Sequence, residues 1–465
     1  MKTPCRAALL GLALILVCCG CSSLQNYTLR SAPARASAAS GDYQTALSVF
    51  PESDARGANE ILVRLERAMI LQDMGRFEES SREFELAADR ITEHEEKAVI
   101  SASQALAQAG TLLINEQVMT YEGEDFETIM LHTLNIVNYL MRGDLEGARV
   151  EVRRAYSRQK ALREKHEKEL AQASQQPDSA GWERSLESGD SQGYARLRER
   201  AATVRSVYQN AFASYLSALV YELHGELDEA YIDVKDAYNA YPEALGIRAD
   251  LVRLSRALGL REDTQRWEGT FGRQALPPRD AVDVFVVFCH GQAPVREPVT
   301  LPIPIRGGMV FASLPVYRFI PSGVSGAVVS AGDARMETST VCDVDAIAAR
   351  NLLDRFPLLF AKQVARSYLK ARSVSTMERQ HGAAGALLGV LFSAVTEQAD
   401  LRTWSMLPKQ IQTARLLVPT HTPAVTLQAV PGGPQATVPI PAGARHLLVY
   451  CRSTDAGLSI HTKWY

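Results

Sequence analysis

Gly75-Arg76-Phe77-Glu78-Glu79-Ser80, followed by Phe84 and Ala87, is the stretch on which the fold of the first half turns. Its pattern recurs. Gly41-Asp42-Tyr43-Gln44-Thr45-Ala46 leads to Phe50. Gly143-Asp144-Leu145-Glu146-Gly147-Ala148 leads to Val152 and Ala155, and Gly225-Glu226-Leu227-Asp228-Glu229-Ala230 leads to Val234, Ala237 and Pro242. Gly75 follows Gly41 by 34 residues and Gly143 follows Gly75 by 68, one period and then two. Glycine accepts a turn conformation that side chains resist. Tyr43, Phe77, Leu145 and Leu227 cap the space between two helices. Ala46, Ser80, Ala148 and Ala230 are small enough to let those helices approach closely, and Pro242 ends the last one, since proline cannot continue a helix.

A helix–turn–helix unit of 34 residues resembles the tetratricopeptide repeat. The pattern predicts an α-helical solenoid over residues 36–275. A degenerate turn is expected near Ala109-Gly110, where the missing repeat falls. The 82-residue interval from Gly143 to Gly225 exceeds two periods, and its excess maps to a Ser/Gln/Gly/Asp-rich loop at 172–192. The charged runs 153–169 and 194–208 read as long antiparallel helices with solvated faces. Stacked helix pairs of this kind form a concave groove. Its expected occupant is a protein segment or peptide; the competing reading is an array that only packs on the second domain.

Leu16-Val17-Cys18-Cys19-Gly20-Cys21-Ser22-Ser23 ends an apolar stretch that starts at Ala7 and follows Lys2 and Arg6. A charged start, a short apolar core and small residues at a cut describe a secretory signal. With Gly20 before Cys21, it is similar to a lipoprotein signal: residues 1–20 are removed, Cys21 carries the acyl chains, and residues 21–35 form a tether reaching about 50 Å. The expected location is the cell envelope, facing the periplasm, with outer membrane favoured because Ser22 is not Asp. Net charge is −3, and −5 once Lys2 and Arg6 leave with the signal, which argues against nucleic acid. Cys289, Cys342 and Cys451 then remain, too few for a disulfide framework.

From Asp280 the pattern changes to short strands. Val282–Phe288, Met309–Leu314, Ala327–Ser330, Arg415–Val418, Ala424–Ala429, Ala436–Ile440 and His446–Cys451 predict a sandwich-like β-rich domain over 280–465. A helical block at 343–400 interrupts it. Asp343 or Asp345 caps a helix to Arg355, and Pro357 opens a second over 358–371. The apolar run 382–395 is too short to span a bilayer and reads as a buried helix or as a surface for membrane or partner. In Glu397-Gln398-Ala399-Asp400-Leu401-Arg402-Thr403-Trp404-Ser405-Met406-Leu407-Pro408, the carboxylates of Glu397 and Asp400 invite a catalytic reading. An ion pair of Asp400 with Arg402 beneath Trp404 accounts for the same residues.

The chain resembles uncharacterised bacterial envelope lipoproteins with tetratricopeptide-like N-terminal halves. The resemblance rests on the signal, on Tyr121-Glu122-Gly123-Glu124-Asp125-Phe126-Glu127 leading into Ile129-Met130-Leu131-His132, and on Gly143–Arg154 and Tyr215–Glu222. In the second half it rests on Glu397–Pro408, Asp400, Arg402, Trp404 and Pro408 among them, and on Ile411 and Ala414-Arg415. It implies a class and a location and transfers no catalytic residue. No phosphate loop, zinc-protease helix or nucleophile elbow is present. The expectation is a multidomain α + β protein, without enzymatic activity, metal or cofactor, that binds a periplasmic protein or peptide. Regulation of peptidoglycan synthesis is a related alternative, and an envelope hydrolase a different one.

Overall fold

The computed structural model describes residues 26–102, 119–173, 187, 191–274, 276, 278, 280–305, 308–363 and 399–465. The signal with Cys21, the turn at Ala109-Gly110, most of the polar loop, the apolar run 382–395 and Glu397 lie outside them.

Helices pair along the first half: α1 (Tyr27–Ala39) with α2 (Tyr43–Ser48), and α3 (Glu60–Asp73) with α4 (Phe77–Ala102). Further on, α5 (Asp125–Arg142) pairs with α6 (Leu145–Ala173), α8 (Ala211–Leu223) with α9 (Leu227–Ala240), and α10 (Leu245–Ala257) with α11 (Arg261–Phe271); α7 (Ser191–Ala201) stands between α6 and α8. Each pair turns on a glycine at positive φ: Gly41, Gly75, Gly143, Gly225 and Gly259. At every one the glycine amide bonds the carbonyl three residues back and the next amide the carbonyl five back, as in Gly75 to Gln72 and Arg76 to Leu71, both 2.9 Å. This double closure satisfies the last carbonyls of the first helix and needs the left-handed backbone that glycine supplies.

Three expectations change in the helical half. The tether is shorter than residues 21–35, because α1 already begins at Tyr27 and Asn26 caps it, its Oδ1 accepting the Thr28 amide at 2.9 Å. Pro242 ends α9 but not the array, since a fifth pair turns at Gly259. The second charged run is helical only from Ser191 to Ala201.

The second half has eleven strands among the described residues: β1 (Ala281–His290), β2 (Val295–Ile305), β3 (Gly308–Arg318), β4 (Gly326–Ala331), β5 (Ala334–Glu337), β6 (Ser339–Asp343), β7 (Gln410–Pro419), β8 (Ala424–Val430), β9 (Gln435–Pro439), β10 (His446–Thr454) and β11 (Gly457–Trp464). A five-stranded sheet runs β11-β10-β1-β7-β6, with β1 and β10 parallel. A four-stranded sheet runs β5-β4-β8-β9, and β2 and β3 form a separate ribbon. After β6 a helix, α12, spans 344–363, its start capped by Asp343, whose Oδ1 accepts the Ala346 amide at 3.0 Å. It passes through Pro357 without a break, so the two helices expected there are one.

The central strands of the five-stranded sheet are buried on both faces. Val282, Val284, Val286 and Phe288 pack with Val329, Leu427 and Val449 toward the smaller sheet. The alternate residues Phe285, Val287 and Cys289 join a core that continues into the helices. This is why Val284–Cys289 of β1 reads as an unbroken apolar run rather than an alternating one. The molecule is layered as helices, sheet, sheet, and the expected division into an open array and a separate sandwich gives way to one continuous core.

Candidate functional site

The first helix of each later pair sends an acidic side chain into the second half. On α3, Glu66 has Leu62, Val63, Met69 and Ile70 three and four places away, so it sits in an apolar face and is fully buried. Its Oε1 accepts the Tyr27 hydroxyl at 2.9 Å, the Ser405 amide at 2.9 Å and the Ser405 hydroxyl at 2.7 Å; Oε2 accepts the Met406 amide at 2.8 Å. Burial drives the carboxyl up and these donors pull it down, leaving it at about 7. On α5, Glu127 is equally buried. Its Oε1 accepts the Trp404 amide at 2.8 Å and the Thr403 hydroxyl at 3.2 Å; its Oε2 accepts the Glu124 amide at 2.9 Å and the Tyr121 hydroxyl. Burial and the neighbouring Glu124 raise the Glu127 carboxyl as well.

These two carboxylates grip the backbone amides of residues 404–406 and the Thr403 hydroxyl, in a segment that belongs to no helix or strand. The whole segment 401–409 is buried. Trp404 lies edge-on to Phe84 with ring centres 5.8 Å apart. Pro408 is buried beside Lys409, whose ammonium is held by Asp345 and by the Ile320 carbonyl at 2.9 Å. Groups gathered this way hold an irregular segment of chain by its amides.

Two of the blocks that carry the resemblance, 121–127 and 400–408, meet here. Asp400 binds Arg402 through both oxygens, the shorter contact 2.7 Å. Arg402 also donates to the Met119 carbonyl at 2.9 Å and lies over the Tyr121 ring at 5.4 Å. Gly123 has φ +82°, and a Cβ there would press on the Thr128 methyl at 3.3 Å. Glu124 takes Arg296 at 2.6 Å, Asn351 at 2.8 Å and Arg355. Burial raises that carboxyl, yet Arg296 and Arg355 outweigh it and hold it well below the usual range.

Two more charged hubs join the halves. Arg415 on β7 binds Glu222 of α8 at 2.7 Å, Asp250 of α10 at 2.8 Å and Asp283 of β1. Asp73, at the end of α3, accepts the Tyr450 hydroxyl at 2.7 Å and faces Arg452 at 3.5 Å.

The turn glycines have a second role that the repeat pattern does not disclose. The β10–β11 hairpin lies across three of them. A Cβ on Gly75 would meet the His461 ring at 2.5 Å, one on Gly143 the Lys463 side chain at 2.7 Å, and one on Gly41 the Ala456 Cβ at 3.4 Å. Gly225 has nothing near it. The small residues Ala46, Ser80, Ala148 and Ala230 are all fully buried between their helices. Ser80 donates to the Ala68 carbonyl at 2.7 Å. Tyr43, Phe77, Leu145 and Leu227 pack at the rim of the same core. Cys289, Cys342 and Cys451 are buried, unpaired thiols.

No family model matches the chain, and no curated protein matches it. Among solved structures, the crystal structure of MamA protein is 11% identical and covers 54% of this chain and 97% of that one, with a TM-score of 0.29. The TPR2AB-domain–pHSP90 complex of yeast Sti1 is 12% identical and covers 52% and 90%, with a TM-score of 0.20. Likenesses at these scores carry no argument about ligands. The first half is a tetratricopeptide-like helical array on its own turns and packing, followed by a β-rich half. The groove expected to receive another protein is filled by that second half.

Proposed function

We propose that this protein is a non-enzymatic scaffold of the cell envelope, anchored by acyl chains on Cys21 in the outer membrane and facing the periplasm. The observation that carries the binding part is the grip of Glu66 and Glu127 on the 404–406 amides. The inner face of the array is thereby committed to its own chain, so a partner protein engages the outward helices. There α4, α5 and α6 bound a cleft of 540 Å³ lined by Ile91, His132, Val150 and Arg153. Val150 in this lining is 44% exposed. The non-catalytic reading is supported by Asp400, both of whose carboxylate oxygens are taken by Arg402.

The test is photo-crosslinking in cells from position 157 on α6, which lines the cleft, with position 66 on α3 as the buried control. A protein adduct at 157 that disappears with Val150→Glu supports the proposal. Absence of any adduct at 157, or an adduct at 66, overturns the outward-facing site. Cell fractionation of Cys21→Ala tests the anchor separately; a variant still in the outer membrane contradicts it.

A further inference from the structure

β11 is the outermost strand of the five-stranded sheet and pairs only with β10. The phase of that pairing is set just past its end. There the Tyr465 amide donates to the His446 carbonyl at 2.9 Å and the His446 amide to the Tyr465 carbonyl at 3.1 Å. Bonded and non-bonded residue pairs alternate along an antiparallel ladder. Counted back through the continuous register, Lys463, His461, Ser459 and Gly457 bond β10. The amides and carbonyls of Leu458, Ile460, Thr462 and Trp464 point the other way, and among the described residues none of them has a hydrogen-bond partner.

A row of unpaired backbone groups is a template for another strand, and edges are usually guarded by short length, proline, a bulge or a lysine. β5 and β9, which bound the smaller sheet, are four and five residues long, and β9 ends on Pro439. β11 has eight residues, no proline and no bulge. Its one lysine, Lys463, lies over the turn at Gly143, and His461 lies over Gly75, so neither screens the edge. Thr462 and Trp464 are exposed, Trp464 by 56%.

The edge is complementary to itself. When a second copy is set antiparallel with His461 at the centre, Leu458 faces Trp464 of the copy and Ile460 faces Thr462. Every outward amide then meets an outward carbonyl, because the facing residues all come from the set that points away from β10. These residues share the face on which Leu458 and Ile460 join the core between the sheets, so Trp464 gains an apolar neighbour there. On the helix face Ser459 faces Lys463 and His461 faces its own copy. No lysine is set against a lysine, an arrangement that would oppose pairing. A slip of two residues either way leaves Leu458 or Trp464 with nothing opposite. The operation is a twofold axis perpendicular to the sheet, and twofold dimers are the commonest soluble oligomers.

We propose that two copies of this chain pair through their β11 edges, antiparallel about a twofold axis at His461, and so join their five-stranded sheets into one. Backbone bonds along the edge hold the pair, and the facing side chains fix its register. The surface is separate from the cleft between α4, α5 and α6, and the pairing depends neither on that cleft nor on the lipid anchor.

The test is sedimentation equilibrium of the full-length protein, purified from membranes in a density-matched detergent, over a concentration series. The expected particle holds two chains. Thr462→Pro removes an outward amide that β10 does not use, and an edge strand accepts proline at such a place. It deletes two bonds per dimer and should weaken association at least about tenfold, with the near-UV circular dichroism unchanged. A wild-type particle of one chain overturns the proposal, and is the result if the edge serves a different protein. Association that survives Thr462→Pro overturns it too. Where that variant loses its near-UV signal, Leu458→Glu and Trp464→Lys decide. Each alone should associate weakly, and the two mixed should recover the two-chain particle, since the new charges then face each other at one end while Leu458 still faces Trp464 at the other. A mixture no stronger than either variant refutes the register, and the proposal with it.

Discussion

Glu66→Ala removes the acceptor of four donors at once: the Tyr27 hydroxyl, both donors of Ser405 and the Met406 amide. All lie in a dry seam, and a buried donor left without a partner costs about 1–3 kcal/mol. Allowing relaxation of the two hydroxyls, the loss should be about 4 kcal/mol or more, a large share of the 5–15 kcal/mol typical of folded proteins. Glu66→Gln keeps the shape but turns an N–H₂ toward one donor, most directly Met406, and should cost about 1–3 kcal/mol. The pH dependence separates the charge from the shape. A carboxyl held near 7 when folded binds its proton more tightly in the fold than in the unfolded chain. Its contribution is therefore fully present below about pH 4.5 and is lost as pH rises through 7, a decline of about 3 kcal/mol. Glu66→Gln should lack that decline. The assay is urea unfolding followed at 222 nm and in the near-UV, between pH 5 and 8. The reasoning is refuted if Glu66→Ala loses less than about 1 kcal/mol, or if the Gln variant keeps the wild-type pH slope.

Gly75→Ala should destabilise by about 1–2 kcal/mol from the left-handed backbone alone, and by more while His461 occupies the Cβ position. Adding His461→Ala should recover only the steric part, measured as a double-mutant cycle in urea. Arg415→Ala leaves Glu222, Asp250 and Asp283 buried without their shared cation and should cost about 3–5 kcal/mol. Burial raises the Asp283 carboxyl but Arg415 holds it well below the usual range. The wild-type stability from this site is present above the ordinary carboxylate pKa and lost as pH falls; the variant should show a shallower acid-side loss in thermal melts. Trp404→Ala should cost about 3–5 kcal/mol. Trp404→Phe should cost less than about 1.5 kcal/mol, because the indole N–H has no hydrogen-bond partner among the described residues. Equal losses for the two would contradict that reading.

The repeat was legible because a closing turn that needs glycine leaves the same mark each time. The fifth pair was not, although Gly259 follows Gly225 by 34 residues. Arg261 and Thr264 stand where the others have an apolar and a small residue, and at the end of the array less needs covering there. β2 was hidden by Pro298, Pro302 and Pro304, which deny a central strand but suit an outer edge. β11 was hidden because Ser459 and His461 alternate with residues of the sandwich core and reach the Asp73 carbonyl instead of a hydrophobic layer. The seam itself was half visible. The resemblance singled out Tyr121, Glu127, Asp400, Arg402 and Trp404 without saying that they meet. Glu66 was detectable only as an acid with apolar neighbours on every adjacent turn. Its partners are backbone amides, and no residue-type pattern announces those.

Hydrogen exchange at Trp404, Ser405 and Met406 tests the occupied inner face most directly. These amides lie outside every helix and strand, so nothing in the secondary structure protects them. If Glu66 and Glu127 hold them in a closed seam, they exchange only when the whole molecule unfolds, at the rate of the slowest amides of β1. Exchange within seconds, as in an open loop, would mean that the array's inner face is free and that the two halves do not form one unit.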